Sequence, residues 1–200
     1  DKVYEIIVYA LFSTLIDVLD LQVEISISDS KLDILSEFSE FAEMVMCLDL
    51  SHPTHIQDAK VYRVGVTNAA DRGLDMYSNW GPVIQVKHLS LSITLAQSII
   101  DDVNSDKVII VCKDAERDVI LSLLNQIGWH NHIQSIITEN DLIKWYEKAL
   151  RGSHKDLLGD ELILRICGEM AQEFPSIDTT PEILKNRHYE KIIHDEFWTI

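Results

Sequence analysis

Two hundred residues, 46 % of them hydrophobic, suit one domain, or one with a small appendage, that buries a substantial core. Seventeen Lys and Arg stand against 33 Asp and Glu, and the net charge of −16 counts against tight non-specific nucleic-acid binding by the chain as a whole. The longest apolar run, Ile6 to Leu19, is interrupted by Ser13, Thr14 and Asp17, so no membrane span is expected. No signal-peptide pattern is visible, and a cytoplasmic protein is expected. The first residue is Asp rather than Met, as in a piece of a longer protein.

In chain order, residues 2 to 19 place Val3, Ile7, Ala10, Leu11, Thr14, Leu15 and Val18 on one helical face, with other apolar residues almost all round. That predicts a helix buried within the domain. Glu5 is its one early acid, either exposed in the first turn or turned inward. Val23, Ile25 and Ile27 alternate with polar residues and predict a short strand. Ser30 is expected to cap a helix running to about Cys47, with Leu32, Leu35, Phe38, Ala42, Val45 and Met46 inward. Glu37, Glu40 and Glu43 then form a solvated face. Ser51 to Asp58, with Pro53, reads as a loop and residues 60 to 67 as a strand.

Asn68 to Gly73 reads as a turn leading into a hairpin, in which Ser78-Asn79-Trp80-Gly81-Pro82 separates two strand-like segments. Leu91 to Val103 is expected to be helical. Val108 to Cys112 is a β-branched run suited to a strand covered on both faces. A helix from Asp114 to Ile127, ending at Gly128, follows. Next come a strand from Ile133 to Ile137 and a helix capped by Thr138 and running to about Leu150. Residues 157 to 173 form another helix, Pro175 and Pro181 bracket a loop, and a polar helix closes the chain. The order implies an α/β fold, a mixed sheet with helices on both faces. Cys47, Cys112 and Cys167 lie far apart in apolar surroundings and read as buried free thiols.

The hairpin carries the chemistry. Gln85 and Lys87 stand two apart in an apolar strand, so they share one face while Ile84 and Val86 take the other. If the two segments pair, Asp75 converges with them, bringing an acid, an amide oxygen and an ammonium to one point. Mg²⁺ prefers hard oxygen ligands and needs only one or two carboxylates from a protein. Asp75, the Gln85 side-chain oxygen and the Val86 carbonyl would supply such ligands, and Lys87 would stabilise negative charge on a phosphate. By spacing alone, a lone Asp, Gln and Lys near a hairpin are more often solvated surface, but Gln85 and Lys87 within a strongly apolar strand need a reason to be there.

Gly73-Leu74-Asp75 followed by Ile84-Gln85-Val86-Lys87 resembles the PD-(D/E)xK nuclease superfamily, in the variant with Gln for the second acid and in its Mrr-type form. The longer wording, Arg72 to Met76 and Gln85 to Leu89, together with Lys2 to Phe12, is similar to type II restriction endonucleases of the HaeII-like group. The resemblance extends from residue 1 to about 150. It implies a restriction-endonuclease-like core over residues 1–150, with 151–200 a helical C-terminal extension of the same domain. It also implies Mg²⁺, double-stranded DNA as substrate, and a homodimer matched to a palindromic site. In many nucleases of this superfamily a first-helix Glu adds a metal ligand, which makes Glu5 a candidate. The chain departs from the pattern in having Leu74 where Pro precedes the acid. Its neutral Gln85 leaves the site less negative than the two-acid form.

Arg63, Arg72 and Lys113 are candidate phosphate contacts, and Asn79 and Trp80 lie at a hairpin tip that could reach a DNA groove, though turn chemistry alone explains Asn79. Asp71 is a secondary candidate to Asp75. His52, His55, His130 and His132 lack partners at zinc-ligand spacing and read as surface or loop residues. His88 falls on the opposite strand face from Lys87. The segment where the site lies is the least acidic part of the chain: residues 1–50 carry −9, residues 51–117 only −1 and residues 118–200 carry −6. Two other readings keep the fold, a nuclease for branched, methylated or damaged DNA and a non-catalytic binding module.

Overall fold

The computed structural model describes residues 2–64, 74–87, 107–126 and 132–175. Its first element, α1 (Lys2–Val18), is apolar nearly all round, as a helix enclosed by other elements must be, and Ile6, Val8, Ala10 and Leu11 are fully buried. Asp20, in the left-handed region at φ 50°, turns the chain out of the helix.

A small lobe follows. β1 (Gln22–Ser26) pairs antiparallel with β2 (Thr54–Asp58), and two short helices, α2 (Leu32–Glu37) and α3 (Ser39–Met46), lie between them in sequence. Two expectations are corrected here. The single Ser30-capped helix is instead a 3₁₀ turn over Asp29–Lys31 followed by α2 and α3, with a break at Phe38 (φ −110°, ψ 31°). Ser30 lies inside the turn, and its hydroxyl pairs with that of Ser28 rather than with a helix N–H. The break divides the predicted apolar stripe, so Leu35 and Ala42 are buried while Phe38 and Val45 are 57 % and 63 % exposed. The second correction is β2, which lies where a loop was expected. Pro53 lacks an N–H, but it precedes the strand and its carbonyl accepts from Ile27, so it does not interrupt the ladder. Glu37, Glu40 and Glu43 are exposed, as expected.

The main sheet has the order β3-β4-β5-β6-β7. β3 (Val61–Arg63), β4 (Met76–Ser78) and β5 (Val83–Val86) form an antiparallel meander. β6 (Val108–Cys112) and β7 (Ile133–Thr138) continue it in parallel with β5. The expected mixed α/β architecture is therefore present. The β4–β5 link uses Gly81 at φ 120°, a value side chains oppose, and Ser78 closes it by donating Oγ to the Pro82 carbonyl at 2.8 Å. Helix α4 (Arg117–Gln126) follows a 3₁₀ turn at Asp114–Glu116, so the regular helix starts later than expected.

Alternation divides the sheet between two cores. Val61, Met76, Ile84, Val86 and Val111 pack with α1, α5 (Glu139–Arg151) and α6 (Lys155–Glu173). Val83, Val108, Ile110 and Cys112 face the other way and meet Ile120 of α4. β6 is thus covered on both sides, which its β-branched run anticipated. Thr138 caps α5 in a reciprocal box with Asp141, again as expected. Helix α6 is tied to α1 by Arg165, which bonds Asp17 at 2.7 Å and the Ser13 hydroxyl.

Of the three thiols expected to be buried, Cys112 is buried and Cys47 and Cys167 are exposed. Cys47 ends α3 at φ 56°, outside the small lobe's core, and Cys167 lies on the outer side of α6, where apolar sequence neighbours face both ways. The helix expected at Leu91 to Val103, the Asn68–Gly73 turn, the Gly128 stop and the closing polar helix lie outside the described residues. Among the described residues no helix is long and apolar enough to cross a membrane.

Candidate active site

The site begins with a backbone donor left over at the end of a ladder. Met76↔Ile84 is the last β4–β5 pair, and the Val86 N–H lies two residues beyond it. The Asp75 carboxylate takes that N–H, Oδ2 accepting at 2.7 Å, while the Asp75 carbonyl accepts from Val64 N–H at 2.9 Å. Asp75 is thereby fixed beside the residue that separates Gln85 from Lys87. On the other edge of β5, Lys87 N–H bonds Val111 O at 2.8 Å, so the strand's carboxyl end is held from both sides. Gln85 is 1 % exposed and Lys87 half-buried.

Electrostatics show which charges meet there. Burial pushes the Asp75 carboxyl above its ordinary value, and the nearby Glu5 carboxylate pushes the same way. The Val86 N–H and the charges of Lys87 and Lys2 oppose that rise without cancelling it. Glu5 is therefore the inward-facing alternative of the two read from sequence: its side chain is 9 % exposed, and Lys2 Nζ contacts Oε2 at 2.7 Å. The first turn of α1 thus reaches the carboxyl end of β5. It also reaches the ends of β6 and β7: burial, with Glu139, Cys112 and Asp114 adding, pushes the Tyr4 hydroxyl up to about 12. Ligand crevices in α/β sheets commonly open at this edge of the parallel strands.

The donor set suits a hard cation. Two carboxylates, Asp75 and Glu5, with the Gln85 amide oxygen and the Val86 carbonyl are oxygen ligands of the kind and number Mg²⁺ takes from a protein. No group of three or more His, Cys, Asp or Glu able to hold a metal occurs among the described residues.

The sequence model of the HaeII restriction endonuclease family matches residues 1–189. This chain belongs to that family. It is 50 % identical over 198 residues to the type II restriction enzyme HaeII of Haemophilus aegyptius, covering 98 % of this chain and 56 % of that relative. It is 48 % identical over 193 residues to the type II restriction enzyme NgoBI of Neisseria gonorrhoeae, covering 95 % of this chain and 54 % of the relative. The chain spans about half the length of these two restriction enzymes. No solved structure matches it significantly.

Arg63 is turned inward: its guanidinium bonds Glu169 at 3.1 Å and Glu173 at 2.7 Å, and its side chain is 9 % exposed. With all three of its nitrogens engaged by α6, Arg63 fastens β3 to that helix, and we do not retain it as a phosphate contact. Asn79 is also occupied, accepting from Lys60 N–H at 2.8 Å and donating to the Asp58 carbonyl at 2.8 Å, which pins the hairpin to the β2–β3 turn. Its role is the turn chemistry already legible in the sequence. Lys113 follows directly on β6, at the same edge of the sheet as Lys87. Arg72, Asp71, His88 and His130 lie outside the described residues. His52 is exposed and paired with Asp49 at 3.0 Å, a surface role. Sequence reading passed over Lys2 as a site residue, although its position three before Glu5 on one helix was the available signal.

Proposed function

We propose that this chain is the nuclease part of a type II restriction endonuclease, hydrolysing phosphodiester bonds of double-stranded DNA at a short specific sequence with Mg²⁺. Residues 1–150 form the PD-(D/E)xK core in its D-QxK variant, and 151–200 extend the same domain. The observation that carries the reading is the Asp75–Val86 bond at 2.7 Å, which fixes a carboxylate where the charges of Lys87 and Glu5 act on it, in a chain of a restriction endonuclease family.

Asp75 and Glu5 would hold the metal, with the Gln85 amide oxygen and the Val86 carbonyl as neutral ligands. Bound there, Mg²⁺ supplies a Lewis acid for the phosphate and a lowered pKa for an attacking water. Lys87 stabilises the charge that grows on the phosphate and orients the water, and its short bond to β6 keeps its backbone from drifting. Lys113 and Arg72 contact flanking phosphates. The partner is a second copy, since a homodimer matches the two-fold symmetry of a palindromic site. The enzyme would act in the cytoplasm.

Incubating the full-length protein with Mg²⁺ and phage DNA tests this directly. Discrete bands that disappear with chelator are expected. A smear, or cutting confined to methylated or branched substrate, would replace sequence specificity with the Mrr-like alternative. Binding with no cleavage under any divalent ion would leave a non-catalytic module.

A further inference from the structure

The nuclease signature does not explain Lys2. Its ammonium sits 2.7 Å from Oε2 of Glu5. Such i,i+3 pairs are common on solvated helix faces, where they contribute little. This one differs in its acid: the Glu5 side chain is 9 % exposed, whereas Lys2 is 38 % exposed and reaches in from the rim. The same ammonium also lowers the cost of charge on Asp75, where it opposes the repulsion from Glu5. Two neighbouring carboxylates withdrawn from water need a cation between them. Among the described residues, Lys2 and Lys87 are the two cations acting on Asp75, and Lys2 is the one bonded to Glu5.

We propose that Lys2 is a positioning residue of the metal site, an internal counter-ion that holds Glu5 toward Asp75 in the metal-free protein and competes with the metal for it. This rests on the nuclease reading above. A divalent ion held by Glu5 and Asp75 would supply the same charge compensation, so the ammonium would lose its hold on Glu5 when it binds. The flexible four-carbon stem allows that movement without a change in α1. Lys2 therefore keeps the carboxylates in place and lowers the affinity of the free protein for metal, which makes metal loading depend more on the charge that DNA brings.

Titration calorimetry with Mn²⁺ alone on the full chain, without DNA, measures the competition. Lys2→Gln should bind Mn²⁺ about fivefold more tightly, equivalent to about 1 kcal/mol, the upper range for a partly exposed ion pair. Lys2→Arg keeps the charge and should bind as the parent does. Lys144→Gln makes the same change of net charge at an exposed site on α5 and should also match the parent. Unchanged or weaker binding by Lys2→Gln, or equal tightening by Lys144→Gln, overturns the proposal. Asp75→Ala and Glu5→Gln separate the two levels of inference. If both weaken Mn²⁺ binding while Lys2→Gln has no effect, the site stands and the counter-ion role falls. If neither changes Mn²⁺ affinity, both fall.

Discussion

Asp75 is under two opposing demands, and Asp75→Asn separates them. Asn retains an oxygen that can accept from Val86 N–H, the 2.7 Å bond that finishes the β4–β5 ladder, but removes the charge. Exchanging a charge-assisted bond for a neutral one loses on the order of 1 kcal/mol. Against that stands the relief of burial and of repulsion from Glu5, and the raised carboxyl shows that these outweigh the Val86 bond and the attraction of Lys87 and Lys2 combined. The linkage sign follows: a carboxyl whose folded value lies above its unfolded one loses stability as pH rises from the ordinary 3.8 through the folded value. At neutral pH the variant should therefore be as stable as the parent or up to ~1 kcal/mol more stable, a gain of about 0–4 °C in Tm. Cleavage should fall by about 10²–10³, the effect of losing one preorganised charge contact. Thermal melts paired with single-turnover cleavage in Mg²⁺ give both numbers. A Tm lowered by about 8 °C, with cleavage lost in proportion to unfolding, would make Asp75 a structural cap. Near-parental cleavage would remove it from the site.

Three further perturbations test other parts of the structure. Arg63→Ala leaves Glu169 and Glu173 without their buried partner and should cost about 3–5 kcal/mol, on the order of 10 °C in Tm; an unchanged melt with weaker DNA binding would restore Arg63 as a phosphate contact. Gln85→Leu fills the same buried volume without an oxygen donor and should lose most activity at little cost to folding, whereas Gln85→Glu should tighten Mg²⁺ binding to the free protein and keep some cleavage. Parent-like turnover by Gln85→Leu would make the amide a spectator. For Asp17, burial pulls the carboxyl upward, but the bonds from Lys60 and Arg165 outweigh it and hold the group below 3.8. Its contribution is present above pH 3.8 and lost as pH falls through the folded value, so Asp17→Asn should lower neutral stability and flatten the acid limb of a denaturation series.

The parts of the fold that sequence predicted are those set by near neighbours. Thr138 and Asp141 form a cap within four residues, the β-branched run at Val108 to Cys112 can only be a two-sided strand, and the period of two puts Gln85 and Lys87 on one face whatever surrounds them. The spacing of Asp75 from Gln85 was legible for the same reason: an antiparallel hairpin brings its two ends together. What was missed depends on distant residues. Arg63 looks like a free cation until α6 returns to it, 106 and 110 residues further along. Glu5 could not be turned inward by periodicity, because α1 is apolar all round and gives no polar face to measure against. The break at Phe38 and the strand at Thr54–Asp58 belong to one lobe, in which β1 and β2 pair across the α2–α3 insertion. Neither strand alone carries enough apolar pattern to reveal its partner.

The acidity that first argued against a DNA partner is distributed in a way that weakens the objection. Several acids are already paired with cations within the chain: Glu169 and Glu173 share Arg63, Asp17 meets Lys60 and Arg165, and Glu5 meets Lys2. Others, among them Glu37, Glu40 and Glu43, lie exposed on the small lobe, whose core is separate from the two cores of the sheet. The stretch that builds the central strands, residues 51–117, carries only −1, and its Lys87 and Lys113 both emerge where parallel strands end. Screening at physiological salt acts over about 8 Å, so a phosphate at that edge responds to the nearest cations far more than to the total of −16. On the proposed function, net charge would then govern how weakly the chain holds arbitrary DNA, while the local pairing of Asp75, Glu5, Lys2 and Lys87 would govern what happens to a phosphate once it is there.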